Sequence, residues 1–146
     1  MAILILVRGL PGSGKTTFGT LFGRLPISAD DFFMTPAGVY EFNPSLLPQA
    51  HLNCQERTKR ALAAGLAAPV GVANTFSCRW ELEPYLRLAE TAGAEVRVVD
   101  LFDAGLTDAA LAERGVHGVP EAGIATMRAR WEHDWGRGNP LPPWER

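Results

Sequence analysis

Short apolar runs alternate along this chain with longer segments in which apolar residues recur at helical spacing. We interpret four of the runs as strands, at residues 2–7, 26–29, 70–73 and 95–101. The segments between them predict helices at residues 15–23, 47–67, 79–92, 107–114 and 121–135. Strands that alternate with helices are typical of a parallel sheet with helices on both faces. The pattern therefore predicts a three-layer α/β fold with four to five parallel strands.

The order of these elements also predicts where a ligand binds. In open parallel sheets, ligands occupy the crevice outside the carboxyl ends of the strands. The loops that follow the four predicted strands should therefore face one crevice. We expect residues 1–146 to form one domain, in which residues 136–146, with three prolines, are an extended tail.

Composition narrows the class of protein. The chain has 146 residues, of which 47% are apolar and 21% charged, as in an ordinary globular domain. A formal net charge of -2 provides no overall attraction to nucleic acid or to an anionic membrane. The first apolar run is too short to span a bilayer, and the two cysteines have neither metal-binding nor disulfide-framework spacing. The two ordinary thiols and the lack of a signal-peptide pattern predict a cytoplasmic protein without a membrane partner. The abundance of Ala, Gly, Arg and Pro is typical of a bacterial or phage sequence.

A phosphate-binding motif lies between the first strand and the first helix. Residues 9–16 read Gly-Leu-Pro-Gly-Ser-Gly-Lys-Thr and match G-x-x-x-x-G-K-[ST]. Glycines let the backbone curl so that its N–H groups point at phosphate oxygens, Lys15 reaches the β- and γ-phosphates, and the Thr16 hydroxyl coordinates magnesium. The motif therefore predicts binding of ATP with Mg²⁺. The residues expected to contact the nucleotide are Gly9, Pro11, Gly12, Ser13, Gly14, Lys15, Thr16 and Thr17.

Further motifs follow the phosphate loop. They are Ser-Ala-Asp-Asp-Phe-Phe-Met at 28–34, Ala-Asn-Thr at 73–75, Trp-Glu-Leu-Glu-Pro-Tyr at 80–85 and Arg-Gly-Val-His-Gly-Val-Pro at 114–120. With the loop, they resemble the polynucleotide kinase-like family of P-loop kinases, in its small single-domain members from phages and bacteria. The resemblance extends from residue 3 to about residue 135. It implies a P-loop NTPase fold of the kinase type, with a small lid.

The resemblance also implies roles for individual residues. Asp30 would be the general base that takes the proton of an acceptor hydroxyl, and Arg114 the lid arginine that stabilises charge on the transferred group. Asp31 would be either a structural group or a member of the magnesium shell, and His117 would contact the adenine or a phosphate of ATP. On the residues alone, the two aspartates are equally well explained as a loop cap, and Arg114 as a solvated residue at a helix end.

The chain departs from this family at positions near the expected acceptor. Relatives commonly carry an aspartate where this chain has Ala73 and an asparagine where it has Phe76, so Asp100 is a weak alternative for the magnesium shell. They also place an arginine shortly after the aspartate pair, where this chain has Phe32, Phe33 and Met34. This apolar trio would either stack a base or pack in the core. Basic residues at Arg57, Lys59, Arg60, Arg128 and Arg130 would either contact nucleic acid or lie on solvated helix faces.

These observations predict a kinase, that is, a phosphotransferase with an alcohol group as acceptor. Lys15, Asp30 and Arg114 would be its catalytic residues. The expected acceptor is a hydroxyl on nucleic acid: a hydroxymethylated base in DNA or a free 5′-hydroxyl end. Two alternatives stay open, a kinase of a small nucleoside or metabolite and a nucleotide-binding ATPase module that acts through a partner. The oligomeric state is left open.

Overall fold

The computed structural model describes residues 1–133, so the expected tail at 136–146 and residues 134–135 of the last predicted helix lie outside it, whereas residues 130–133 of that predicted helix are not helical. Three parallel strands form the sheet in the order β2-β1-β3. They are β1 at Ile3–Gly9, β2 at Val70–Asn74 and β3 at Glu95–Phe102. The parallel α/β fold predicted from the sequence is confirmed.

Five α-helices and four 3-10 segments connect or follow these strands. The α-helices are α1 at Lys15–Gly19, α2 at Leu47–Ala63, α3 at Glu83–Ala92, α4 at Asp108–Arg114 and α5 at Glu121–Ala129. The 3-10 segments are Thr20–Phe22, Ala29–Phe33, Pro44–Leu46 and Arg79–Glu81. Local signals explain two of the boundaries: the Thr107 hydroxyl accepts from the N–H of Ala110 and caps α4, and Gly93 ends α3 in the left-handed conformation.

The predicted second strand at 26–29 is wrong. Only Ile27 pairs there, in an isolated parallel bridge to Val72. Pro26 has no N–H to extend the ladder, and Ala29 already begins a 3-10 helix. Among residues 1–133 the sheet therefore has three strands, instead of the four to five that we expected.

Alternate residues of β1 pack on opposite faces of the sheet. Leu4 and Leu6 belong to the larger core cluster, with residues of α2 and α3. Ile5 and Val7 pack on the other face, where Phe18 of α1 covers them. This alternation explains the three layers, because each face of the central strand has its own helices.

A third cluster lies at the carboxyl end of the sheet. Leu10, which follows β1, packs there against Leu111 of α4 and Ile124 of α5, with Trp131 beside them. The pair α4 and α5 is therefore fixed next to the phosphate loop, and we refer to α4, residues 115–120 and α5 as the lid. No helix in the described range is long and apolar enough to cross a membrane.

Candidate active site

The ends of both outer strands fasten the phosphate loop. The N–H of Gly9 donates to the carbonyl oxygen of Thr75 beyond β2, at 3.2 Å, and the N–H of Leu10 donates to that of Phe102 in β3, at 2.8 Å. Phe102 and Phe76, the residue after Thr75, have φ angles of 47° and 48°, which residues other than glycine rarely adopt. The loop is thus held by two strained turns, which the sequence did not predict.

Close contacts explain two of the glycines in the motif. A Cβ atom on Gly9 would overlap with the hydroxyl oxygen of Ser13, and one on Gly12 would overlap with the backbone oxygen of Leu111 in the lid. Gly12 also has a φ of 82°. The Gly12 position therefore needs glycine both for its backbone conformation and for the approach of α4.

The loop residues fit a bound triphosphate. The Ser13 hydroxyl is buried without a hydrogen-bond partner among residues 1–133, and the Lys15 ammonium reaches only the backbone oxygen of Leu10, at 3.1 Å. Burial lowers the pKa of Lys15 to about 8, although the negative charge of Asp30 opposes this shift. Phosphate oxygens would provide partners for the hydroxyl and a counter-charge for the amine. Thr16 and Thr17 are exposed at the start of α1, where their hydroxyls are accessible.

Asp30 is held in place by the end of β2. The side-chain oxygen of Asn74 accepts from the N–H of Ala29 at 2.9 Å, and the Ser28 hydroxyl accepts from the N–H of Asp30 at 3.2 Å. The Tyr40 hydroxyl donates to Oδ1 of Asp30 at 2.8 Å. The negative charge of Asp30 also acts on the Lys15 ammonium, where it opposes the lowering of the pKa by burial.

Asp31 faces α2. Its Oδ2 accepts from the N–H of Ser28 at 3.0 Å and from the Arg57 guanidinium at 2.9 Å. The same guanidinium donates to the Ser28 carbonyl oxygen at 2.6 Å. These contacts give Asp31 a structural role, because they fix the turn containing Asp30, and none of them involves the phosphate loop. The alternative of a place in the magnesium shell stays a prediction.

The other two predicted site residues come from the lid. Arg114 is exposed in the last turn of α4, three residues after Leu111, and its side chain makes no ion pair or hydrogen bond within the described residues. His117 lies against Tyr40, with ring centroids 4.1 Å apart, and its Nε2 is 3.6 Å from Oδ2 of Asp30. The structure therefore places His117 beside the candidate base, while the prediction that it contacts ATP stays a prediction.

Most of the basic residues considered for nucleic acid have protein partners. Arg57 fixes the turn of Asp30, Arg60 pairs with Glu56, and Arg130 donates to the Ser77 hydroxyl. Arg128 donates to Asp103 at 2.6 Å and to Asp108 at 2.8 Å, which fastens α5 to the start of α4 and lowers the pKa of the Asp103 carboxyl. Lys59 alone of this set is exposed without such a contact in the described range.

The structure also shows the burial of the residues at which this chain differs from the family that it resembles. Phe33 is buried in the core, whereas Phe32 and Met34 are 38% and 43% exposed. The expectation that Phe76 lies near the acceptor is wrong, because its ring packs edge-on against Tyr85 and is 2% exposed. Ala73 is buried among apolar side chains of β1.

The alternative magnesium ligand Asp100 is occupied by protein contacts. Its Oδ2 accepts from the Arg8 guanidinium and its Oδ1 from the N–H of Phe102, each at 3.0 Å. No group of three or more His, Cys, Asp or Glu residues suited to a metal occurs within residues 1–133. A magnesium ion here would depend on Thr16, phosphate oxygens and water, as is usual for Mg²⁺ bound with a nucleotide.

Arg8 is a residue of this region that sequence reasoning missed. Its buried guanidinium donates to the carbonyl oxygens of Phe76, Ser77 and Glu132 at 3.0–3.2 Å, and lies 4.1 Å from the ring centroid of Trp131. Burial lowers its pKa to about 10. Arg8 joins the end of β1 to the segment after the lid. The signal available in the sequence was an arginine inside an apolar strand, directly before the glycine motif.

Comparison with known proteins shows the family and the fold of this chain. The family model AAA_33, described as an AAA domain, matches residues 4–133. The chain belongs to this family. AAA_33 is a P-loop kinase-like family, which confirms the P-loop part of the resemblance, but a specific relationship to polynucleotide kinases is not confirmed.

One protein of similar sequence and one solved structure of similar fold illustrate this relationship. NEDD4-binding protein 2 of Homo sapiens is 34% identical over 137 residues, which is 89% of this chain but 8% of that protein's length. The crystal structure of a gluconokinase from Sinorhizobium meliloti 1021 superposes with a TM-score of 0.54 at 22% identity, over 94% of this chain and 79% of the other. The chain therefore has the P-loop kinase-like α/β fold.

Proposed function

We propose that this AAA_33 protein is a kinase that transfers the γ-phosphoryl group of ATP to a hydroxyl of a small molecule. One observation supports this most strongly: the Asp30 backbone N–H donates to the Ser28 hydroxyl and its Oδ1 accepts from the Tyr40 hydroxyl, so that its carboxylate, whose charge acts on Lys15, is fixed in orientation. A carboxylate held opposite a phosphate-loop lysine is the arrangement that phosphoryl transfer to a hydroxyl needs.

Each residue then has a defined task. Backbone N–H groups of the loop and the Lys15 ammonium bind the phosphates. Thr16 would hold magnesium, which offsets the charge of the β- and γ-phosphates when it is bound. Asp30 accepts the proton of the acceptor hydroxyl as its oxygen attacks the γ-phosphorus, the bond to the β-phosphate oxygen breaks, and ADP leaves. Arg114, unpaired within the described residues, is available to stabilise the charge on the transferred group.

A small acceptor fits the described surface better than nucleic acid. The arginines that would contact a phosphate backbone are engaged in structural contacts. The side of Asp30 open to an acceptor is bordered by Tyr40 and His117, which carry no fixed positive charge. The gluconokinase likeness supports only the fold, but it shows that this fold is used by an enzyme named as a kinase of a small molecule.

Transfer of a labelled γ-phosphate to a panel of acceptors tests this proposal. The panel contains polyols and sugar acids, nucleosides, oligonucleotides with 5′-hydroxyl ends, and duplex DNA with hydroxymethylated bases. We expect label in a small acceptor, and none in a Lys15→Ala control that reports contaminating kinases. Label in DNA or oligonucleotides instead would refute the small acceptor, and label only in free phosphate would refute the kinase in favour of an ATPase module.

A further inference from the structure

The two carboxylate oxygens of Asp30 have different surroundings. Oδ1 accepts a hydrogen bond from the Tyr40 hydroxyl at 2.8 Å. Oδ2 faces Nε2 of His117 at 3.6 Å, which is beyond hydrogen-bonding distance. One oxygen is therefore held by the protein, while the other is left for an additional donor.

Asp30 and the two side chains that face its carboxylate come from three separate parts of the chain. Asp30 lies in the 3-10 segment Ala29–Phe33, Tyr40 in the long loop before α2, and His117 in the lid between α4 and α5. The His117 ring stands 4.1 Å from the Tyr40 ring at an interplanar angle of 31°. Its Nδ1 is buried and has no partner among residues 1–133. His117 is therefore located by contact with Tyr40 and presents Nε2 to the base.

We propose that Tyr40 and His117 are positioning residues of the acceptor site, which together direct the acceptor hydroxyl to Oδ2 of Asp30. The inference rests on the proposed function and names the residues that would orient its acceptor. Tyr40 fixes the orientation of the carboxylate. His117 brings Nε2 to the same hydroxyl and does not bind the nucleotide.

The hydrogen-bonding capacity of these groups supports this arrangement. A hydroxyl has one proton and two lone pairs. It can donate its proton to Oδ2 while one lone pair accepts from Nε2–H of His117, and the second lone pair then points at the γ-phosphorus. When the new O–P bond forms, the proton passes to Oδ2 and ADP departs, so that neither Tyr40 nor His117 changes its own protonation. Because His117 belongs to the lid, the acceptor site is complete only when the lid is in place.

Four substitutions in the full chain test the proposal: Tyr40→Phe, His117→Asn, His117→Gln and, as a matched control, His51→Asn on α2. Binding is measured with a non-hydrolysable ATP analogue and Mg²⁺, and turnover as phosphate transfer to water and to the best acceptor of the panel. Tyr40→Phe and His117→Asn should lower turnover about 10- to 100-fold, the scale for a misplaced reacting group. Analogue binding should stay within about twofold, since neither residue touches the nucleotide.

The two substitutions of His117 separate positioning from packing. The amide nitrogen of Gln reaches the place of Nε2, so His117→Gln should recover much of the turnover that His117→Asn loses. Equal losses in both variants would overturn the role of Nε2. A tenfold loss of analogue binding in His117→Asn would assign His117 to the nucleotide and also overturn the proposal. Unchanged turnover in Tyr40→Phe would overturn the positioning role of Tyr40.

The same experiments distinguish failure of this inference from failure of the proposed function. If the wild-type protein transfers phosphate to no acceptor of the panel, with or without transfer to water, the kinase itself is refuted. If the wild type is active and both Tyr40→Phe and His117→Asn match the His51→Asn control, only the positioning role is refuted. Tyr40→Phe retains the ring that packs on His117, so its result stands even if a His117 variant unfolds.

Discussion

The side-chain oxygen of Asn74 accepts a 2.9 Å hydrogen bond from the backbone N–H of Ala29. Through this contact, a residue at the end of β2 fixes the turn that carries the candidate base. The Asn74 amide nitrogen points the other way, 3.5 Å from the Tyr85 hydroxyl. Asn74 is 8% exposed, so water cannot easily replace it as a partner for Ala29.

Asn74→Leu should therefore reduce both stability and phosphoryl transfer. It leaves the buried N–H of Ala29 unpaired, which costs about 1–3 kcal/mol of the free energy of unfolding. Urea denaturation and transfer assays measure the two effects. Tyr85→Phe is the control, because it removes a partner of the same amide on the side away from Asp30. A transfer rate in Asn74→Leu equal to that in Tyr85→Phe would show that the contact does not position the base.

Two glycines of the phosphate loop should differ in their tolerance of alanine. Gly12 and Gly14 both have positive φ angles, of 82° and 96°. A Cβ on Gly12 would overlap with the oxygen of Leu111, whereas nothing lies within 4 Å of one on Gly14. Conformational strain alone costs about 1–2 kcal/mol at either position.

Gly12→Ala should consequently lower the free energy of unfolding by more than Gly14→Ala, since it also separates α4 from the loop. Thermal melting of the ligand-free protein measures the difference. A smaller or equal loss in Gly12→Ala would mean that the lid does not rest on the phosphate loop.

Sequence reasoning located the phosphate loop with its flanking strand and helix, because these depend on residues that are neighbours in the chain. The role of Asp30 rests on the family resemblance and stays a prediction. Sequence reasoning missed Tyr40, which lies in a loop between Gly38 and Pro44 and reaches Asp30 only through tertiary folding. The pairing of Asp31 with Arg57, 26 residues away, was equally invisible. The false strand at 26–29 arose because apolar composition does not report the missing N–H of Pro26.

The affinity for ATP should depend on pH through Lys15. Burial lowers the pKa of this amine to about 8, so it is charged below that pH and loses its charge above it. The charged form binds phosphate, and affinity for a non-hydrolysable ATP analogue should therefore fall as the pH rises from about 7 to about 10, a range below the ordinary lysine pKa. Titration calorimetry measures this dependence. Lys15→Met should bind weakly with a flat profile in this range, and a similar slope in both proteins would contradict the role of Lys15.

Arg8 should be important for stability. Arg8→Met removes the guanidinium donor from the carbonyl oxygens of Phe76, Ser77 and Glu132 and from Oδ2 of Asp100, although the Ser77 oxygen keeps the N–H of Glu132 as a donor. The substitution should lower the free energy of unfolding by about 3 kcal/mol. Because Asp100 is partly exposed, water offsets some of the loss. Arg24→Met, at an exposed arginine, is the control and should change stability by less than about 0.5 kcal/mol. Guanidinium denaturation of both variants measures the difference.

Asp30 and Asp31 allow the most direct test of the proposed chemistry, because they are adjacent carboxylates with different contacts. We expect Asp30→Asn to reduce phosphoryl transfer from ATP by about 10²- to 10⁴-fold while binding of the ATP analogue is retained. Asp31→Asn should reduce stability, through its lost ion pair with Arg57, and have a much smaller effect on transfer. The measurement is the single-turnover rate of γ-phosphoryl transfer in the two variants and the wild type. Transfer by Asp30→Asn at the wild-type rate, or equal losses in both variants, would contradict Asp30 as the general base.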